Sequence, residues 1–271
     1  MDMNEVAARG LVLLGCGKMG SAMLAGWLRN GLPPEAVWVI DPYPSDWLKE
    51  QGVHIGGDLP AHPAIAIIAV KPQMMETALP DVRALGNGET LVISIAAGTP
   101  IKTFERVLGG GTPIIRAMPN TPAAIGRGIT ALIGNSQTRT DHMDMAEALL
   151  WSIGQTVRLD SEDQMDAVTA LSGSGPAYVF HLIEAMADAG VAQGLSPVLA
   201  MQLATATVGG AGELAEDVDE TPAQLRVNVT SPGGTTEAAL GVLMDEETGF
   251  RPLLRRAVDA AAARSRELAD E

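Results

Sequence analysis

The sequence predicts an α/β fold: a parallel sheet with flanking helices and a dinucleotide-binding turn, followed by an all-helical domain. Three observations carry this. Short apolar runs alternate with helical stretches through residues 1–160. The first of these runs ends in a GxGxxG turn that opens a helix. Beyond about Ser161 the strand-like runs stop and Ala-rich helical segments take over. Strand–helix alternation implies βαβ units, and hence strands that run parallel.

Leu11–Leu14 is a short apolar run closed by Gly15 and reads as a buried strand. Residues 21–30 follow with helical spacing through Met23, Leu24, Trp27 and Leu28, and stop at Gly31. Further apolar runs are Val37–Ile40, closed by Asp41-Pro42, residues 65–70, closed by Lys71-Pro72, and residues 91–95, closed by Ala96-Ala97-Gly98. A fifth is Ile114–Met118, closed by Pro119-Asn120. Residues 129–134 and 156–159 are candidate strands around a helix over 140–151. Small or polar residues at every strand end suit a sheet that binds ligands at its C-terminal edge. Helices are then expected over 174–193, 196–216, 222–227, 236–244 and 249–270. Pro176, Pro197 and Pro222 fall near helix starts, where a missing N–H is tolerated. The boundary is placed so that 1–160 is a dinucleotide-binding domain and 161–271 a helical one.

The chain has 271 residues, of which 46% are hydrophobic but only 3% aromatic. Its core must therefore come from Ala, Leu, Val, Ile and 13 Met. A net charge of −15 disfavours nucleic acid and anionic lipid as partners. Any anion site must be built locally, from backbone N–H groups or a few cations. The single cysteine, Cys16, excludes an internal disulfide framework and a multi-cysteine zinc site, and the four histidines show no metal spacing. No long apolar run predicts a membrane span and the N-terminus lacks an apolar signal core, so a cytoplasmic protein is expected. Segments 185–191 and 200–208 are apolar over much of their circumference, which points to a homo-oligomer.

The chemistry concentrates in a few motifs. In Gly15-Cys16-Gly17-Lys18-Met19-Gly20 the first glycine makes the turn, the second admits a pyrophosphate and the third lets helix and sheet pack. Asp41 ends the second strand about 20 residues beyond Gly20, where an acid accepts from a ribose 2′-hydroxyl and repels a 2′-phosphate, although Lys18 could offset that repulsion and leaves the cofactor preference open. Its alternative role is a cap for the segment starting near Ser45. Lys71 suits a phosphate, a ribose or a substrate carboxylate. His181 is a candidate acid–base group, but a helix-surface role suits it better. Late in the chain, Thr230-Ser231-Pro232-Gly233-Gly234-Thr235-Thr236 opens a helix whose unpaired N–H groups suit a carboxylate or phosphate; an ordinary N-cap is the alternative. Leu171-Ser172-Gly173-Ser174-Gly175-Pro176-Ala177 reads as a close-approach turn before a long helix.

Taken in order, these motifs resemble the pyrroline-5-carboxylate reductase family. The likeness rests on Gly15 to Gly20, Ala69-Val70-Lys71-Pro72, Arg116-Ala117-Met118-Pro119-Asn120-Thr121-Pro122, Ala170 to Tyr178, Asn228 to Thr236 and a closing helix at Arg264 to Leu268. The resemblance implies a Rossmann-type domain and a helical dimerisation domain, with dimers often assembled into a decamer. It implies reduction of 1-pyrroline-5-carboxylate to L-proline by NADPH or NADH. Thr236 would hydrogen-bond the ring nitrogen. Gly233, Gly234 and Thr235 would hold the carboxylate, and Ser172 and Ser174 would line the pocket. The cofactor would lie on Gly15, Gly17, Lys18, Met19, Gly20, Asp41, Val70, Lys71, Pro72, Ala97 and Gly98. Met118, Pro119 and Asn120 would lie close to the nicotinamide. Asp41 stands where many relatives have a neutral or basic residue. The competing expectations are reduction of a related or larger cyclic imine, and a dinucleotide-binding regulator without chemistry.

Overall fold

The computed structural model describes residues 3–86 and 88–270. Eight strands form one sheet: β1 (Leu11–Leu14), β2 (Val37–Ile40), β3 (His54–Ile55), β4 (Ile65–Ile68), β5 (Leu91–Ser94), β6 (Ile114–Met118), β7 (Gly128–Gly134) and β8 (Gly154–Arg158). Their order is β3-β2-β1-β4-β5-β6-β7-β8. Between them lie α1 (Met3–Arg9), α2 (Lys18–Arg29), α3 (Asp46–Lys49), α4 (Met75–Ala78), α5 (Ile101–Leu108) and α6 (Thr140–Leu150). The helices α7 (Met165–Val168), α8 (Gly175–Ala192), α9 (Pro197–Asp217), α10 (Pro222–Asn228), α11 (Thr235–Leu243) and α12 (Phe250–Asp270) complete the chain.

The uninterrupted apolar runs became the central strands, since β1, β4 and β5 are buried at every position. Alternate residues serve opposite faces. Leu11 and Leu13 pack with Met23, Leu24 and Trp27. Val12 and Leu14 pack on the other face with Leu79, Phe104 and Leu108. Trp27 satisfies its indole by donating to the Leu149 carbonyl at 3.0 Å. β1 pairs in parallel with both β2 and β4, which are reached in opposite directions across the sheet. That reversal opens a crevice beyond the C-terminal ends of β1 and β4, where such sheets bind ligands.

One pairing departs from the parallel pattern: β6 and β7 are antiparallel. The connection, residues 119–127, holds only the short 3-10 turn Thr121–Ile125. A parallel crossover needs a dozen residues or more, so the chain turns straight back. Several elements are not marked in the sequence, among them α4, α5, α7, α1 and β3. α1 is a single short helix, and β3 is a two-residue strand with both side chains exposed.

The chain divides into two compact units, one running to Gly173 and resuming at Ala261, the other Ser174–Ala260. This division differs from the expected one at 160/161. α7 stays with the first unit because Asp166 accepts a 2.6 Å hydrogen bond from Ser265 near the chain's end. Arg116 on β6 likewise holds Glu162. The stretch expected as a turn before α8 is a π-helical turn, Thr169–Gly173, that runs almost directly into it.

Described by itself, the second unit has little interior. Its buried apolar residues are Ala187, Ala200 and Ala204, with Ile183 against them. Small residues bring α8 and α9 close: a Cβ on Gly190 would lie 3.2 Å from that of Ala200. Larger apolar side chains remain uncovered, among them Val198 at 80% and Val242 at 72% exposure. Among the described residues no helix is long and apolar enough to cross a membrane.

Candidate active site

The glycine turn after β1 shows three different needs for glycine. Gly15 has φ +90°, and a Cβ there would lie 2.9 Å from the Ala69 carbonyl and from Val70. The loop after β4 therefore abuts the turn. At Gly20 a Cβ would lie 2.5 Å from the Gly15 carbonyl, so its absence lets α2 close on the strand. At Gly17 a Cβ would meet nothing within 4 Å. The space is left open by the protein, and glycine is not needed there for packing. Gly17 is also the N-cap of α2, with no side-chain cap and no acid in the first turn. Free N–H groups at a helix start, beside an open position, fit the pyrophosphate of a dinucleotide. Lys18 opens the helix as an exposed cation. The partly buried Met19 side chain packs against the core.

Asp41 is half-buried at the end of β2. Its Oδ2 accepts the Cys16 amide at 2.7 Å and its Oδ1 accepts the Tyr43 amide at 2.8 Å. The carboxylate thus fixes the glycine turn. An ionised carboxylate has about four acceptor positions, so room remains for a ribose hydroxyl. It does not cap α3, whose start is capped by Ser45 itself. Residues 41–48 contain no lysine or arginine, and Lys49 pairs with Asp46 at 2.8 Å. Burial, and then the charge of Asp41, push the Cys16 thiol up to about 11. It is protonated at neutral pH and is no nucleophile.

The other strand ends carry the remaining first-unit residues. Val70 borders Gly15, and Lys71 is exposed ahead of the 3-10 turn that begins at Pro72. Gly98 has φ +69°, with Ala97 before it, and a Cβ there would lie 3.0 Å from Leu268. Pro119 is buried, while Met118 and Asn120 are half-buried. The Asn120 amide is engaged at both ends. Its Oδ1 accepts from Ile129 N–H at 2.9 Å and its Nδ2 donates to the Ser172 carbonyl at 3.1 Å. The Ser172 hydroxyl donates back to Val168 O at 3.1 Å, within its own helix. Ser174 precedes α8 with no side-chain cap bond.

The late glycine turn engages its own glycine amides. Gly233 N–H donates to Glu237 Oε2 at 2.7 Å, and Gly234 N–H donates to the Ser231 carbonyl at 3.0 Å. Both N–H groups are thus engaged within the turn in this structure. Their identity as glycine serves the turn itself: Gly233 has φ +69°, and a Cβ on Gly234 would lie 2.9 Å from the Ser231 carbonyl. The available groups belong to the next two residues. Thr235 and Thr236 open α11, a nine-residue helix, and among the described residues their N–H groups and hydroxyls have no hydrogen-bond partner. Glu237, which the sequence reading passed over, closes the turn from within the helix. His181 is an exposed side chain beside Glu184 at 3.2 Å, in line with a surface role.

Comparison with known proteins places these features in a family. A family described as pyrroline-5-carboxylate reductase dimerisation matches residues 162–268. A second, described as NADP oxidoreductase, coenzyme F420-dependent, matches residues 10–98. The pyrroline-5-carboxylate reductase of Pseudomonas aeruginosa is 38% identical over 267 residues, covering 96% of this chain and 97% of that protein. A solved pyrroline-5-carboxylate reductase from Coxiella burnetii superposes with a TM-score of 0.89 at 35% identity, covering 96% of this chain and 98% of the other. A Plasmodium falciparum pyrroline carboxylate reductase, solved with NADP bound, gives 0.82 at 30% identity, again covering 96% and 98%.

Proposed function

The chain belongs to the pyrroline-5-carboxylate reductase family, and from that premise we propose how its residues act. The protein reduces 1-pyrroline-5-carboxylate to L-proline with NAD(P)H. The imine carbon gains hydride as the C=N π pair moves to nitrogen, and that nitrogen carries a proton in the product. The imine nitrogen is basic and can arrive protonated, so no strong acid is required from the protein. Its work is positioning and electrostatics.

The observation that carries this reading is the start of α11. Thr235 and Thr236 N–H groups bind the substrate carboxylate at the positive end of a nine-residue helix. The Thr236 hydroxyl hydrogen-bonds the ring nitrogen. Ser172 and Ser174 line the pocket. The dinucleotide lies on Gly15, Gly17, Gly20 and the backbone of Lys18 and Met19. Val70, Lys71, Pro72, Ala97 and Gly98 border it, and Met118 and Pro119 lie beside the nicotinamide. When bound, the reduced nicotinamide supplies the hydride.

NADH is the favoured reductant in this proposal. Asp41 presents negative charge where a 2′-phosphate would sit, and residues 41–48 offer no cation against it. The chain is a homo-oligomer. Dimers assembled into a decamer, and a cytoplasmic location, belong to the same proposal; the uncovered apolar side chains of α8, α9 and α11 support the assembly. The test is initial rates with 1-pyrroline-5-carboxylate under NADH and NADPH side by side. Faster turnover with NADH supports the assignment. Faster turnover with NADPH reduces Asp41 to a support for the glycine turn. No turnover by folded, dinucleotide-binding protein removes the substrate assignment.

A further inference from the structure

We infer that Asn120 is a positioning residue: its amide ties the end of the nicotinamide-side strand to the π-helical turn that leads into α8. The inference rests on placing the nicotinamide beside Met118 and Pro119.

A short polar side chain just before Thr121-Pro122 is well placed to cap the 3-10 turn that begins there. Asn120 makes no such cap. Its amide reaches Ile129 N–H, nine residues on, and the Ser172 carbonyl, 52 residues on. The carbonyl oxygen and the NH₂ are therefore both directed into the protein. Each end keeps one further hydrogen-bonding position, but the bonds it makes are both to the protein.

The turn that Asn120 holds is unusual in its own right. Thr169–Gly173 is π-helical, a conformation found mostly as single turns and often at functional sites. Met118 lies against it as well, because a Cβ on Gly173 would sit 2.5 Å from Met118 Cε. Two of the three residues Met118–Asn120 thus meet the turn that carries Ser172 and continues at Ser174. The position of Ser172 is set by the strand end that serves the nicotinamide. A shift on either side is transmitted through one amide.

The experiment uses the full-length protein with Asn120→Asp and Asn120→Ala. Asn120→Asp is isosteric and keeps an acceptor for Ile129 N–H, but replaces the donor to Ser172 O with a repelling oxygen. Three quantities are read: kcat and KM with 1-pyrroline-5-carboxylate, the NADH Kd by fluorescence titration, and amide hydrogen exchange over residues 165–175. We expect kcat to fall about ten- to a hundredfold in both variants. The NADH Kd should stay within about twofold, and exchange over 169–173 should quicken. Ile129 should stay protected in Asn120→Asp and lose protection in Asn120→Ala. A Kd raised tenfold with exchange unchanged would make Asn120 a cofactor ligand and overturn the inference. Unchanged kinetics and exchange would overturn it too, as would failure of both variants to fold. The exchange measurement needs no turnover, so a wrong reaction assignment, seen as an inactive wild type, is distinguished from a wrong role for Asn120.

Discussion

Arg116 Nη1 donates to Glu162 Oε1 at 2.8 Å, and the same oxygen accepts the Ile101 amide at 2.9 Å. One carboxylate thereby holds strand β6, the start of α5 and the segment ahead of α7. Arg116 is buried at 5% exposure, and its Nη2 has no hydrogen-bond partner among the described residues. Removing Glu162 leaves a buried guanidinium uncompensated, which costs more than removing both charges. Glu162→Ala should lose about 1–3 kcal/mol, tempered by the partial exposure of Glu162. Arg116→Met should lose less. Thermal melts compare the two. A larger loss for Arg116→Met would contradict a stranded buried guanidinium as the main cost.

The glycine turn separates binding from folding. Gly17→Ala adds a methyl group where the protein leaves open space, at a backbone φ of −71° that alanine adopts freely. Its melting temperature should stay within about 2 °C of wild type, with the NADH Kd raised tenfold or more. Gly20→Ala places a Cβ 2.5 Å from the Gly15 carbonyl and should lower the melting temperature by several degrees. Calorimetry with and without NADH reads both. Equal stability losses in the two variants would contradict a pyrophosphate site at Gly17.

Asp41 should act on both turn and cofactor. Asp41→Ala removes the acceptor of Cys16 and Tyr43 amides. The NADH KM should rise about tenfold, the worth of a charge-assisted hydrogen bond. The ratio of kcat/KM for NADPH over NADH should rise as the repulsion of a 2′-phosphate disappears. A ratio that falls would mean that Asp41 does not face the ribose.

His142 makes stability pH-dependent. Burial first, then the nearby Arg139 charge, lowers its pKa below the usual histidine value. Its Nδ1 accepts the Arg139 amide at 3.3 Å, a bond that only the neutral ring makes. The unfolded chain therefore takes up the proton first as pH falls. The contribution is full above about pH 6.5 and is lost as pH drops from there towards the folded-state value. Between pH 7.5 and 5.5 the wild type should lose more stability than His142→Gln. Parallel losses would show that the dependence lies elsewhere.

Much of this was legible in the sequence, for physical reasons. β1, β4 and β5 are buried on both faces, so their apolar runs are unbroken. The glycine turn must bend and approach at fixed spacing, so Gly15 to Gly20 announces it. The helical second half shows in its composition. What escaped was either very local or very distant. β3 has two exposed residues and no apolar signature. The antiparallel turn from β6 to β7 depends on a loop length whose 3-10 turn only the fold defines. The Asn120 tie spans 52 residues, and the Arg116 pair spans 46. Nothing in local pattern marks such partners. Gly233 and Gly234 are marked in the sequence, but the bond from Gly233 N–H to Glu237 is not.

The most direct test is kcat/KM for 1-pyrroline-5-carboxylate in Thr236→Val, with the NADH Kd measured alongside. The substitution keeps shape and removes the hydroxyl at the start of α11. The account predicts a loss of ten- to a thousandfold in kcat/KM with the Kd unchanged, as expected for one transition-state hydrogen bond. Unchanged kcat/KM in the folded variant would contradict the placement of the imine nitrogen at Thr236.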